Sequence, residues 1–267
     1  MRGQRELITG PDGVEIGLLT AGVGPRLLLV HGGMGSSARW APLWPLLTRR
    51  YQVTSMDRRG RGTSGDTAEY RLAKEYDDVL AVADHLLARD PSGLDVFAHS
   101  YGAVCALGAA SRGARFRGLA LYEPPGPPTA PREWIDRATA MITAGQTGRA
   151  VASFLVEIIG LDRATITAMR DSPTARESIP IAAATLAREA EALSSVDLTE
   201  LAHSVNVPVL LMLGERSPQW ATTITHALRH SLPASTVVGL PALGHDAVDA
   251  APGLVAAELD RFFGSIS

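Results

Sequence analysis

Four five-residue runs lie between residues 26 and 122: Arg26–Val30 (RLLLV), Gln52–Met56 (QVTSM), Leu94–Ala98 (LDVFA) and Gly118–Tyr122 (GLALY). They are too short for helices. RLLLV, continuous rather than alternating in its apolar residues, fits a strand buried on both faces, as in a parallel sheet flanked by helices. Helical spacing of apolar residues falls between the runs, at Ser37–Leu47, Leu72–Ala88 and Ala103–Ala110. The rhythm returns late in the chain with a strand at Pro208–Leu213, a helix at Ala221–His230, a strand at Thr236–Leu240 and a helix at Leu254–Phe263. Two alternating runs, Glu6–Ile8 and Val14–Thr20, flank Pro-Asp-Gly at the start and read as a hairpin. This alternation predicts an α/β fold with a doubly wound, mostly parallel sheet.

The rhythm stops between Pro124 and Val207. A proline-rich stretch, EPPGPPTAPRE, leads into helical patterns at Trp134–Ile142, Ala150–Ile159, Ala164–Arg170 and Ile181–Leu193. The expected organisation is therefore a core from residues 1–126, an inserted all-helical segment over 127–200, and the rest of the core from 201–267. A chain of 267 residues, with 46% hydrophobic and 20% charged residues, has the composition to bury such a core.

Charge narrows the partners. The formal net charge is −3, and 24 of the 25 basic residues are arginines scattered along the chain, with Lys74 alone. No basic stripe marks a nucleic-acid surface. A single cysteine, Cys105, excludes an intrachain disulfide and a cysteine-based metal site. No apolar stretch reaches 18 residues, and the opening MRGQRELITGPDGVEI lacks the apolar run of a signal peptide. The expectation is a soluble, cytoplasmic monomer or homodimer that needs no metal or cofactor and acts on a small apolar organic molecule.

In open α/β sheets ligands bind beyond the carboxyl ends of the strands. There the chain places His31-Gly32-Gly33, Asp57, Ser100, Glu123, Gly214-Glu215 and His245. Ala98-His99-Ser100-Tyr101-Gly102 sits between a strand and a small-residue helix. It matches the nucleophile-elbow pattern Gly-x-Ser-x-Gly, with alanine in the first position. Small residues two before and two after the serine let the chain turn sharply and raise the hydroxyl above the sheet. The same turn aims the Tyr101 N–H at a developing oxyanion. Glycines after Val30 let backbone amides approach a ligand, so Gly33 or Met34 is the second oxyanion donor, with Gly33 preferred. Among seven histidines, His245 follows the last strand and a glycine and comes late in the chain, which makes it the candidate general base. His203, His226 and His230 lie on or beside helices and read as surface residues. His31 reads as a structural loop residue.

These pieces resemble the α/β-hydrolase fold superfamily, of the serine-nucleophile type with a helical cap. The resemblance rests on the His31-Gly32-Gly33 loop, the segment Asp57-Arg58-Arg59-Gly60-Arg61-Gly62-Thr63-Ser64, the Ser100 elbow and the Gly244-His245 ending. It implies a Ser…acid…His triad with Ser100 as nucleophile and His245 as base, a cap formed by the helical segment, and a structural role for the Asp57 motif. The chain departs from the pattern at the acid. The family's usual aspartate, three residues past the glycine after the penultimate strand, is here Ser217. Three readings are open: Glu123, at a strand end next to the elbow, where some relatives such as certain haloalkane dehalogenases place their acid; Glu215; or no acid at all. Glu123 is preferred, because a strand-end carboxylate beside two prolines is rigidly held.

Met34, Tyr101 and Trp220 from the core, with Trp134 and Phe154 from the helical segment, are the expected pocket residues. Trp40 and Trp44 are expected to pack. The expected activity is hydrolysis of a small or medium apolar ester, lactone or thioester through an acyl-enzyme. The alternatives are a cofactor-free lyase, cyclase or oxygenase that uses His245 for proton transfer, or a ligand-binding protein with little turnover.

Overall fold

A computed structural model describes residues 1–127, 129–162, 166 and 173–266, with only the backbone for 173–178. Eight strands form one sheet: β1 (Gln4–Thr9), β2 (Glu15–Ala21), β3 (Arg26–Val30), β4 (Gln52–Met56), β5 (Asp95–His99), β6 (Gly118–Tyr122), β7 (Val209–Gly214) and β8 (Ser235–Leu240). Their order across the sheet is β1-β2-β4-β3-β5-β6-β7-β8. β1 pairs with β2, and β2 with β4, antiparallel; every pair from β4 to β8 is parallel. The expected doubly wound, mostly parallel sheet is the one observed.

The helices are α1 (Trp44–Leu47), α2 (Leu72–Arg89), α3 (Tyr101–Ser111), α4 (Arg132–Thr143), α5 (Thr147–Ser153), α6 (Pro173–Leu193), α7 (Leu198–His203), α8 (Gln219–Ser231), α9 (Ala247–Ala250) and α10 (Pro252–Ser265). The two-residue period of a strand divides the central runs between two cores. Leu28, Val30, Val96, Ala98, Leu119 and Leu121 pack with α2 and α3 on one face. Leu27, Leu29, Phe97, Ala120, Tyr122 and Met212 pack with α1 and α10 on the other. Trp40 and Trp44 belong to that second core, and Cys105 is buried in the first. Among the described residues no helix is long and apolar enough to cross a membrane.

The helix expected over Ser37–Leu47 is split. Ser37–Trp40 forms a 3₁₀ turn and α1 holds only Trp44–Leu47. Pro42 and Pro45 lack the N–H groups a continuous helix needs, so the segment cannot propagate through them.

Between β6 and β7 the described elements are all helical. α5 continues into a π-helical turn at Phe154–Ile158. These helices share a core of their own, built from Trp134, Ile135, Ala138, Val151, Ile158, Ala183 and Leu186. Most of the helix expected at Ala164–Arg170, with Met169, lies outside the described residues.

The chain leaves β3 toward β4 on one side and returns to β5 on the other, so winding reverses above β3 and β5. That is the point where sheets of this kind open a crevice. Asp57, just past β4, braces it. Its carboxylate accepts the N–H of Ser37 at 2.6 Å, and the N–H and hydroxyl of Thr63 at 2.9 and 3.0 Å. Ser64 donates its hydroxyl to the Asp57 carbonyl at 2.6 Å and accepts the Gly17 N–H at 2.8 Å. This segment ties loops together and its aspartate is spent on backbone.

Candidate active site

Ser100 ends β5 and begins α3 in a left-handed conformation, φ 54° and ψ −127°. Such strain in a non-glycine residue persists only where its surroundings enforce it. Gly102 shows how. A Cβ there would lie 2.4 Å from the carbonyl oxygens of both Val30 and His31. Only glycine lets α3 start this close to β3, and Gly32 crosses the elbow equally closely, its own would-be Cβ 2.9 Å from that of Ser100. Ala98, two before the serine, is fully buried in the sheet.

The acid–histidine partnership is explicit. Glu123 follows β6, is fully buried, and holds a left-handed φ of 47°. Its Oε2 lies 2.6 Å from Nδ1 of His245. Its Oε1 accepts the Gly214 N–H at 2.7 Å and the hydroxyl of Ser217. Ser217, at the position where the resemblance would place the aspartate, is thus a donor to the Glu123 carboxylate. Glu215 is exposed and accepts the N–H of Ala242 at 3.1 Å.

Two further contacts fix the histidine loop. Tyr122 donates its hydroxyl to the Gly244 carbonyl. His99 Nε2 lies 3.1 Å from the carbonyl oxygen of His245, which requires the N–H on that nitrogen. The rings of His99 and His245 lie 4.6 Å apart. Burial, then the neighbouring His245, hold the His99 pKa well below the ordinary histidine value, so it is a neutral donor. Trp220 places its ring edge-on to His245 at 5.4 Å and donates its indole N–H to the Ile158 carbonyl at 2.9 Å. His31 accepts the Arg58 N–H on Nε2 at 3.0 Å and contacts the Gly32 carbonyl through Nδ1. Burial first, then Arg58, push its pKa down to about 3. It is a structural ring. His203, His226 and His230 are exposed.

A cavity of about 600 Å³ joins these groups. Ser100, His245, Gly33, Tyr101 and His99 line its floor. Met34, Phe154 and Trp220 line it as expected, with Leu155, Ile159, Leu186 and Leu193 from the helical side. Trp134 is a correction. It is 2% exposed inside the helical core, packs at a tilt against Phe154 with ring centres 5.7 Å apart, and donates its N–H to Ser153 at 2.9 Å. The apolar face of α4 turns toward its neighbouring helices, so Phe154 stands between this indole and the cavity.

Sequence reasoning missed the charged part of the lining. Arg39 reaches the cavity but is paired with Asp249; Asp246 and Glu189 also face it. Glu189 is 3% exposed and accepts on Oε1 from Arg58 at 2.6 Å and from Arg61 at 2.9 Å. Arg58 also makes a double hydrogen bond to Glu75, at 2.7 and 3.0 Å. In sequence, Glu189 lies in the charged-looking stretch Ala187-Arg188-Glu189-Ala190-Glu191, which reads as a solvated helix face. Its arginine partners lie about 130 residues away, in a motif that reads as purely structural. Among the described residues no group of three or more His, Cys, Asp or Glu side chains is arranged to hold a metal ion.

Comparisons with known proteins agree with this architecture. A 103-residue stretch, 37% of the chain, is 36% identical to the "Probable oxidoreductase EphD" of Mycobacterium tuberculosis and spans only 17% of that protein. The "2-(acetamidomethylene)succinate hydrolase" of Mesorhizobium japonicum is 30% identical over 93% of both chains. Among solved structures, an alpha/beta hydrolase from Sphaerobacter thermophilus is 30% identical, covers 97% of this chain and 100% of its own, and superposes with a TM-score of 0.83. Residues 27–258, which take in strands β3 to β8 and the helices between them, match the model of the alpha/beta hydrolase family, and the chain belongs to that family.

Proposed function

We propose that this protein is a serine hydrolase that cleaves a small or medium, mostly apolar carboxylic ester, lactone or thioester through an acyl-enzyme. The observation that carries the reading is that His245, held by the buried Glu123, and the strained Ser100 line one cavity. In this mechanism Nδ1–H of His245 is held by Glu123, which leaves Nε2 free to take the proton of Ser100. The serine oxygen attacks the substrate carbonyl. The N–H groups of Tyr101 and Gly33 stabilise the oxyanion. Collapse expels the alcohol or thiol, which takes the proton back from His245. Water, activated by the same histidine, then releases the acid and restores Ser100.

The apolar lining supports an apolar substrate. The helices between residues 127 and 200 serve as the cap, since Phe154, Leu155 and Leu186 close the cavity above the elbow. The 2-(acetamidomethylene)succinate of the Mesorhizobium relative carries two carboxylates. Among the described lining residues here, the one arginine is already paired with Asp249 and the remaining charges are acidic. This supports a substrate class different from that relative's.

The test is turnover of p-nitrophenyl esters of two to eight acyl carbons by the wild type, Ser100→Ala and His245→Ala. Hydrolysis abolished in both variants is the expected result. Activity retained in Ser100→Ala but lost in His245→Ala would replace this reading with proton-transfer chemistry. Tight ligand binding with no turnover would replace it with a binding protein.

A further inference from the structure

The two oxygens of Glu189 face different surroundings. Oε1 is consumed by Arg58 and Arg61. Oε2 faces the elbow side: a Cβ built on Gly33 would lie 3.1 Å from it. Glu189 lines the same cavity as Ser100. We propose that Oε2 of Glu189 is the specificity-determining acceptor of this site, selecting acyl groups that carry a neutral hydroxyl or amide N–H one or two carbons from the scissile carbonyl. The inference rests on the reading of this cavity as the substrate site and names the substrate class more narrowly.

Three features support an acceptor rather than a general acid or a cation trap. Burial alone would raise the Glu189 pKa, but Arg61 and Arg58 outweigh it and bring it down to about 2, so the group stays ionised. An ionised carboxylate only accepts hydrogen bonds. The buried set Arg58, Arg61, Glu75 and Glu189 sums to zero formal charge, so the charge of Glu189 is already compensated by its arginine partners. Position completes the argument. Gly33 supplies the proposed oxyanion N–H, so a donor that meets Oε2 sits close to the acyl carbonyl. Among the described lining residues the other carboxylates are Asp246 and Asp249, the latter paired with Arg39, and most of the remaining lining is apolar. A site built to bond an O–H or N–H discriminates strongly against the analogue that lacks it, because the buried acceptor is then left unpaired.

Glu189→Gln inverts the group at constant volume. The amide oxygen satisfies Arg58 and Arg61, and the amide N–H₂ faces Gly33. The test uses Ser100→Ala, which separates binding from turnover, and ligand-observed NMR titration of butanamide, 2-hydroxybutanamide, 3-hydroxybutanamide and succinamate. At least one hydroxybutanamide binds at least tenfold more tightly than butanamide, and succinamate binds most weakly. In Ser100→Ala/Glu189→Gln the hydroxyl advantage falls below threefold and succinamate overtakes butanamide. Equal or unmeasurable binding of the hydroxybutanamides in Ser100→Ala overturns the assignment, as does an advantage that survives Glu189→Gln. If Glu189→Gln does not fold, Glu189→Asp, which withdraws the oxygen by about one C–C bond length, about 1.5 Å, must shrink the same advantage; an unchanged advantage overturns it. Wild-type protein that hydrolyses no ester while this binding order holds counts against the hydrolase reading alone. Ester turnover without the order counts against the Glu189 assignment alone.

Discussion

Oε2 of Glu123 lies 2.6 Å from Nδ1 of His245, although the two residues are 122 positions apart in the chain. Every other bond of that carboxylate serves the same contact. Gly214 and Ser217 hold Oε1, and the left-handed backbone at Glu123 turns the side chain toward the histidine.

Glu123→Gln removes the one oxygen pair that fits this setting. Its amide must point N–H₂ either at the Gly214 N–H, donor against donor, or at Nδ1 of His245, which then has to accept and takes the wrong tautomer. We expect kcat for ester hydrolysis to fall by about 10³–10⁴-fold, the scale seen when a triad acid is made neutral. Glu215→Gln should stay within about twofold. Steady-state kinetics on both variants check this, and equal effects would remove Glu123 from the mechanism.

Ser217→Ala tests whether the hydroxyl at the old acid position supports the new one. A hydrogen bond to a charged group is worth about 1.5–3 kcal/mol. Only part of that bears on the transition state, so kcat should fall about tenfold with KM nearly constant. An unchanged kcat would make the Ser217 contact incidental.

His99 gives the fold a pH dependence. The folded protein holds it neutral, with a pKa well below 6.5, while the unfolded chain takes up a proton below about pH 6.5. Its contribution is therefore present above that pH and is lost as pH falls. His99→Gln keeps a donor toward the His245 carbonyl and removes the titration. Between about pH 6 and 4.5 the wild-type folding equilibrium should weaken relative to the variant by close to tenfold per pH unit. Denaturant melts across that range report it; parallel curves would contradict it.

Gly102→Ala forces a methyl into the carbonyl oxygens of Val30 and His31. Neither is a flexible side-chain end, so we expect a loss above about 3 kcal/mol, or no soluble protein. Gly253→Ala, where nothing lies within 4 Å of the added carbon, should be near neutral by thermal denaturation.

Much of this was legible in the sequence because it is local. RLLLV, LDVFA and GLALY announce buried strands, and the spacing of Ala98, Ser100 and Gly102 announces the turn. The Glu123–His245 pairing was half legible: Ser217 showed that the usual acid position was empty, but three readings stayed open. The pairing depends on the neighbouring positions of β6 and β7, where Tyr122 pairs with Met212 and brings Glu123 beside Gly214. Glu189 and the donor role of His99 were not legible. Each depends on a partner far away in sequence, Arg58 and Arg61 for one and the His245 carbonyl for the other. The misplacement of Trp134 has the same origin: helical periodicity identifies an apolar face but not which neighbour it meets.

The central claim is that Ser100 is a nucleophile activated by His245 and Glu123. Intact-mass and peptide mass spectrometry after incubation with a fluorophosphonate tests it most directly. The expected result is one adduct per chain, on the peptide that contains Ser100, absent in Ser100→Ala and formed far more slowly in His245→Ala and Glu123→Gln. A protein that stays unmodified, or that is labelled at another residue, would contradict it.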